Sequence, residues 1–169
     1  MPAELRYAPF DSPLGVLWLA ATAKGLAALE LGGDEKAVTD LWRKRFGLDA
    51  VRDAAAVEAF ARELEAYFTR AVTRFHMPLD VLGGTPFQRK VWETLNTIPY
   101  GETRSYKWLA AQVGVENGFR AVGLANGANP LPIVVPCHRV VNTNGRLGGY
   151  GGGLDMKRAL LRLEGALPS

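Results

Sequence analysis

The sequence is poor in the residues that build disulfides and metal centres. Its 169 residues include one cysteine, Cys137, and two histidines, His76 and His138. One cysteine cannot form an intramolecular disulfide, and these three residues fall short of the ligand set of a structural zinc site. We therefore expect a reducing compartment, no metal, and a fold held by its hydrophobic core, for which the length suffices.

Long apolar runs are also missing. Glu4 and Arg6 interrupt the segment where a signal peptide would need apolar residues, and nothing approaches the ~18 apolar residues of a membrane span. We expect a soluble, cytoplasmic monomer without a membrane partner.

Acidic residues are scarce in the second half of the chain. Residues 1–80 hold 10 Lys and Arg against 12 Asp and Glu, whereas residues 81–169 hold 10 against 5. The basic excess is either an ordinary solvated surface or a surface for a polyanion such as DNA.

The first half predicts a small α+β unit. Residues 7–22 and 25–31 are typical of short strands in an antiparallel hairpin or meander. A helix is predicted from an Asp34 N-cap to Gly47, and a second over residues 54–70. Neither helix carries converging polar groups, so we assign this half no chemistry.

The second half predicts short helices. Thr85, Pro86 and Gln88 form a capping-box pattern, and Ser105 is a good cap for another helix. Two short helices joined by a glycine-containing turn are typical of a helix-turn-helix. A third helical segment, residues 118–130, is rich in small residues, which lets either a neighbouring core element or a nucleic acid approach its backbone. Arg120 is the only Lys, Arg, Asp or Glu between Glu116 and Arg139. A single long cation on such a surface suits the insertion of one side chain into a nucleic acid at one point.

The surroundings of Cys137 favour a nucleophile. A lone cysteine is usually a small buried apolar residue, but Pro136 stiffens the approach to this one. His138 and Arg139 add positive charge, which predicts a thiolate.

Consecutive side chains project in different directions, so His138 would accept the thiol proton through a bridging water. The histidine would also need an acidic partner to orient it. The sequence offers five candidates in the second half: Glu93, Glu102, Glu116, Asp155 and Glu164.

Six glycines surround Tyr150 between Gly145 and Gly153. This segment is either a flexible linker or a loop that brings backbone N–H groups to a ligand.

Five segments closely resemble the O6-alkylguanine-DNA alkyltransferases, also called methylated-DNA–protein-cysteine methyltransferases. In order along the chain, they are "PFQRKVWETLNTIPYGETRSYKWLA", "RAVGLANGANPLPIV", "PCHRVV", "GYGGG" and "LLRLEG". The resemblance covers essentially the whole second half, and extends more loosely to "DSPLGVLWLAAT" and "GLAALEL" in the first. It implies an α+β protein: an RNase H-like N-terminal domain, residues 1–80, and a winged-helix-like DNA-binding and alkyl-acceptor domain, residues 81–169.

The resemblance implies direct DNA repair without a cofactor. A family member flips an O6-alkylated guanine out of duplex DNA and transfers the alkyl group to its own cysteine, once per molecule. O4-alkylthymine is a further candidate substrate.

The resemblance also assigns roles to individual residues. Cys137 would be the acceptor, His138 the water-mediated base and Glu164 the group that orients it, with Asn129 bracing the turn before the cysteine. Arg120 would enter the base stack, and Tyr106 would assist flipping and bind the guanine. The remaining contacts implied are DNA contacts at Ala121 and Gly123, and pocket contacts at Val140, Tyr150 and Gly151.

Two positions depart from the family pattern. Gly151 stands where some relatives carry serine. Phe119 stands where a smaller residue is usual, so that either this end of the helix meets DNA less closely or Phe119 packs inward. Two other functions fit parts of the pattern: a helix-turn-helix regulator with Cys137 as a sensor, and a thiol hydrolase. The first would need a polar recognition helix, and the second is disfavoured by the adjacent Cys-His spacing.

Overall fold

The computed structural model describes residues 4–167. The chain forms two compact units, with the boundary between Gly83 and Gly84. The first unit contains β1 (Leu5–Ser12), β2 (Gly15–Thr22), β3 (Gly25–Leu31), α1 (Glu35–Phe46), β4 (Ala50–Arg52) and α2 (Ala54–Phe68). The second contains α3 (Pro86–Leu95), β5 (Arg104–Ser105), α4 (Tyr106–Gln112), α5 (Phe119–Gly127), a 3-10 turn (Cys137–Arg139), β6 (Val140–Val141) and α6 (Leu154–Leu163).

The first unit is built on a four-stranded sheet in the order β3-β2-β1-β4. The predicted antiparallel meander forms β1 to β3, and the α+β class is confirmed. Strand β4, which we did not predict, pairs in parallel with β1, so the sheet is mixed rather than purely antiparallel. Trp42 of α1 packs edge-on against Tyr7 of β1, and both are buried in the core of this unit.

Local sequence signals set the helix ends as predicted. The Asp34 side chain accepts the N–H of Ala37 at the start of α1, and Gly47 ends that helix in the left-handed conformation. The predicted capping box of α3 is complete, because Thr85 and Gln88 each accept a backbone N–H from the other.

The second unit is mainly helical. Helices α3 and α4 both pack against α5, and the Trp92 indole N–H donates to the Ala125 carbonyl at 2.8 Å. Strand β6 follows the 3-10 turn and pairs in parallel with β5. The glycine-rich segment then connects β6 to α6. Within residues 4–167, no helix has the length and apolar character needed to cross a membrane.

Candidate active site

The chain before Cys137 is a buried, tightly held turn. The Asn129 amide donates to the Val135 carbonyl at 2.8 Å, and its side-chain oxygen accepts the Leu131 N–H at 2.9 Å. Ile133, inside this turn, has a φ of +74°, which is strained for a β-branched residue. Asn129 therefore closes the turn from both sides and holds the strained backbone that leads to the cysteine.

Cys137 begins the 3-10 turn with only 6% of its surface exposed. Burial raises the pKa of its thiol to about 11, although Asn129 and the charge of Lys157 oppose this rise. The expected thiolate was therefore wrong for the protein at rest. The sequence predicted positive charge beside the sulfur from His138 and Arg139, but it does not show how deeply the fold buries the thiol.

Glu164, just after α6, joins the two residues that follow the cysteine. Its Oε2 lies 2.8 Å from Nε2 of His138, and its Oε1 accepts the Arg139 Nε–H at 2.8 Å. Arg139 completes a bidentate pair through Nη2 at 3.0 Å, and its Nη1 donates to the carbonyl of Ile98 at 2.7 Å. Of the five acidic candidates, Glu164 is the one that contacts His138.

The electrostatics of this cluster fix its protonation states. Burial alone would raise the pKa of Glu164, but hydrogen bonds from His138 and Arg139 outweigh it and lower that pKa to about 2. Burial lowers the pKa of His138, so the ring is neutral at neutral pH. A neutral ring facing a carboxylate carries its proton on Nε2. Nδ1 is then an acceptor, and it is buried without a hydrogen-bond partner among the described residues.

Lys157 of α6 supplies a positive charge that sequence reasoning missed. Its fully buried ammonium donates to the carbonyls of Val140 at 2.6 Å and Gly149 at 3.2 Å, and lies 6.0 Å from the centre of the Tyr106 ring. Burial lowers the pKa of Lys157 to about 8, and the nearby Cys137 opposes this fall. A signal existed in the sequence, because Lys157 shares the apolar face of α6 with Leu160 and Leu161.

Two tyrosines lie near the sulfur. Burial raises the pKa of Tyr106, the nearby Asn126 amide opposes that rise, and negative charge at Cys137 adds to it. Burial also raises the pKa of Tyr150 well above its ordinary value, and its hydroxyl has no partner within residues 4–167. Asn126, which the sequence analysis did not single out, has its amide 3.4 Å from the Cys137 carbonyl.

An open pocket of about 630 Å³ lies between α4, α5 and the segment after β6. Tyr106, Arg120, Gly123 and Gly149 are among its lining residues. At Gly151, an added Cβ would meet no atom within 4 Å, so a serine would fit there sterically.

The exposed face of α5 combines small residues with two large apolar ones. Arg120 and Ala121 are exposed, and a Cβ at Gly123 would meet nothing within 4 Å. Phe119 is 44% exposed and Leu124 is 68% exposed, so the alternative in which Phe119 packs inward is wrong. The small residues therefore leave one face of α5 accessible, while Val122 and Ala125 face the core.

Family comparisons cover nearly the whole chain. The family described as "6-O-methylguanine DNA methyltransferase, ribonuclease-like domain" matches residues 5–81, and "6-O-methylguanine DNA methyltransferase, DNA binding domain" matches residues 86–166.

Individual relatives agree with these matches. A methylated-DNA–protein-cysteine methyltransferase of Mycolicibacterium paratuberculosis is 46% identical over 160 residues, which cover 95% of this chain and 92% of the relative. Its counterpart from Methanosarcina barkeri is 42% identical over 158 residues, 94% of this chain and 96% of the relative. A crystal structure of Mycobacterium tuberculosis OGT in complex with DNA has a TM-score of 0.83 at 45% identity, covering 95% of this chain and 93% of that one.

Proposed function

This chain belongs to the 6-O-methylguanine DNA methyltransferase family, and from that premise we propose that it repairs DNA directly, moving the alkyl group of an O6-alkylguanine in duplex DNA onto Cys137. The contact between His138 and Glu164 next to the only cysteine carries this proposal. In it, residues 81–169 provide DNA binding and the acceptor thiol, and residues 1–80 contribute no reacting group. The protein acts as a cytoplasmic monomer without a cofactor.

The sulfur must lose its proton as the reaction begins, because its pKa of about 11 keeps it a thiol at neutral pH. Nδ1 of His138 accepts that proton through a bridging water, and Glu164 stabilises the imidazolium that forms. Lys157 favours the thiolate by its charge. The proton thus moves within the protein, and no outside base is required.

Alkyl transfer then breaks one bond and forms another. Sγ of Cys137 attacks the alkyl carbon, the S–C bond forms, and the bond between that carbon and O6 breaks. Guanine departs with the electron pair and takes the proton of the Tyr106 hydroxyl, and the proton that His138 accepted from Cys137 restores that hydroxyl, so that no charge is left in the pocket. The Val140 carbonyl, Tyr150 and the backbone at Gly151 complete the binding site for the flipped base. The resulting thioether has no easy leaving group, so each molecule reacts once.

Access to the lesion requires base flipping, which costs a few kcal/mol of stacking and pairing. Helix α5 lies against the minor groove in this proposal, with Ala121 and Gly123 close to the DNA and Arg120 filling the space that the base vacates. The exposed face of α5 has few polar side chains for reading bases, which favours repair over a sequence-specific regulator.

Intact mass spectrometry tests the proposal. The protein is mixed with duplex DNA that contains one O6-methylguanine, and the modified peptide is sequenced; a second duplex carries O4-methylthymine. We expect one methyl group on Cys137, stoichiometric recovery of guanine, and no reaction in Cys137→Ala. Repeated turnover, or methylation at another residue, would contradict it.

A further inference from the structure

An open groove of about 750 Å³ lies between the segment 142–148 and helix α6, and the proposed reaction does not use it. Arg146 lines it from the segment, and Arg158 and Arg162 line it from the helix. None of the described residues lining the groove is acidic. Asp155 pairs with Arg158 at 3.0 Å, but its side chain is fully exposed, so this ion pair neutralises little of the positive charge.

The turn that carries Arg146 is well ordered by its own hydrogen bonds. The Asn142 N–H donates to the Arg146 carbonyl at 2.8 Å, and the Gly145 N–H donates to the Asn142 carbonyl at 2.9 Å. The Arg146 N–H donates to the Asn144 side chain at 3.0 Å. Because this backbone is already fixed, little of its entropy is lost when a ligand binds the side chain.

The chemistry of the groove fits a phosphodiester. Guanidinium groups match phosphate oxygens in pairs, and Leu147 and Leu154 offer apolar surface to a sugar. Asn142 lines both this groove and the pocket that contains Tyr106 and Arg120, so the two are contiguous. We propose that the arginine groove (Arg146, Arg158 and Arg162) binds the sugar-phosphate backbone of the duplex beside the lesion. This inference rests on the DNA-binding function proposed above.

Salt-dependent binding tests this surface. Fluorescence anisotropy would measure the affinity for a duplex with one O6-methylguanine between about 50 and 200 mM NaCl, where bound phosphates dominate the salt dependence. We expect Arg146→Ala/Arg158→Ala to bind about tenfold more weakly, with a log–log salt slope shallower by about 0.9 for each phosphate that the variant no longer binds. Arg146→Lys/Arg158→Lys should recover most of the slope, because it keeps both charges.

The matched control is Lys36→Ala/Arg62→Ala, which removes the same charge from exposed ion-paired positions of the first unit. It should bind as the wild type does. The groove proposal is overturned if the Arg146→Ala/Arg158→Ala variant matches this control in affinity and slope. It is also overturned if that variant loses its reaction with free O6-benzylguanine in parallel, because the pocket rather than a phosphate-binding surface would then be affected. The proposed function itself would fail differently, through a wild type that neither binds nor repairs the duplex.

Discussion

Nε2 of His138 and Oε2 of Glu164 lie 2.8 Å apart, and both side chains are fully excluded from solvent. Arg139 holds the same carboxylate through two further hydrogen bonds, so Glu164 cannot rotate to serve another partner. This geometry fixes the ring orientation and the tautomer of His138 in advance of any reaction. The proposed acid–base chemistry therefore depends on a residue 27 positions after the cysteine in the sequence.

Glu164→Gln should lower both stability and the rate of alkyl transfer. The amide has one acceptor oxygen where the carboxylate has two, and Arg139 would remain buried without a matching charge. Breaking a buried pair in this way costs about 3–5 kcal/mol. Thermal unfolding and single-turnover reaction with O6-benzylguanine measure the two effects.

The control is Glu102→Gln, which breaks a half-exposed pair with Arg104 and should cost less than about 1 kcal/mol. Equal losses of stability in the two variants would contradict the role assigned to the buried cluster.

Stability should fall in acid because of Glu164. Its folded-state pKa of about 2 lies below the ordinary 4.5, since hydrogen bonds from His138 and Arg139 outweigh burial. Because folding lowers its pKa, ionised Glu164 stabilises the folded state fully above pH 4.5, and this stabilisation is lost as the pH falls towards 2. The difference in free energy of unfolding between wild type and Glu164→Gln should shrink over that interval. A difference that stays constant with pH would contradict an ionised Glu164.

Gly148→Ala should slow alkyl transfer by displacing the glycine-rich segment between Gly145 and Gly153. The new Cβ would lie 3.1 Å from Cε2 of Tyr106 and 3.1 Å from Oδ1 of Asn142, at a φ of +73°. Gly145→Ala is the matched control, because its φ of +82° imposes similar backbone strain while its Cβ would meet no atom within 4 Å. Single-turnover rates with O6-benzylguanine should therefore fall more for Gly148→Ala, and equal rates would show that the approach to Tyr106 is immaterial.

What the sequence predicted well was local in origin. The caps at Asp34 and Thr85 depend on residues within one helical turn, so they could be identified without a fold. Strand β4 could not, because three residues pair with β1 across more than forty positions of sequence.

In the candidate site, too, local features could be predicted from the sequence and long-range ones could not. Its neighbours predicted that Cys137 is a nucleophile, but its protonation state depends on burial by the whole unit. The sequence predicted that Arg139 acts on the sulfur, and its guanidinium binds Glu164 and Ile98 instead. The role given to Tyr106 by resemblance stays a prediction, whereas the two hydrogen bonds of Asn129 do brace the turn before the cysteine.

Lys157→Met should shift the pH dependence of the reaction upwards. The ammonium charge opposes the rise in the Cys137 pKa, so its removal makes the thiolate rarer at any given pH. It also frees the carbonyls of Val140 and Gly149. Rates with O6-benzylguanine, measured from pH 6 to 10, should fall below those of the wild type at neutral pH, and the difference should shrink above about pH 8, where Lys157 loses its charge in the wild type. Lys90→Met, at an exposed position of α3, should leave the profile unchanged; an unshifted profile in Lys157→Met would remove Lys157 from the reaction.

Arg120→Ala should weaken repair of duplex DNA more than reaction with free O6-benzylguanine. Arg120 is exposed at the start of α5, and only a duplex contains a stack whose gap must be filled after flipping. Arg120→Lys separates the effect of charge from the filling of the gap in the stack, because an ammonium keeps the charge without the planar group that stacks on bases. If filling is the role, Arg120→Lys should remain close to Arg120→Ala in its duplex rate. If Arg120→Lys instead recovers the wild-type rate with duplex DNA, the role of Arg120 is to attract phosphate by its charge. If Arg120→Ala lowers the rates with duplex DNA and with free O6-benzylguanine equally, Arg120 acts in the pocket and does not fill the gap in the stack.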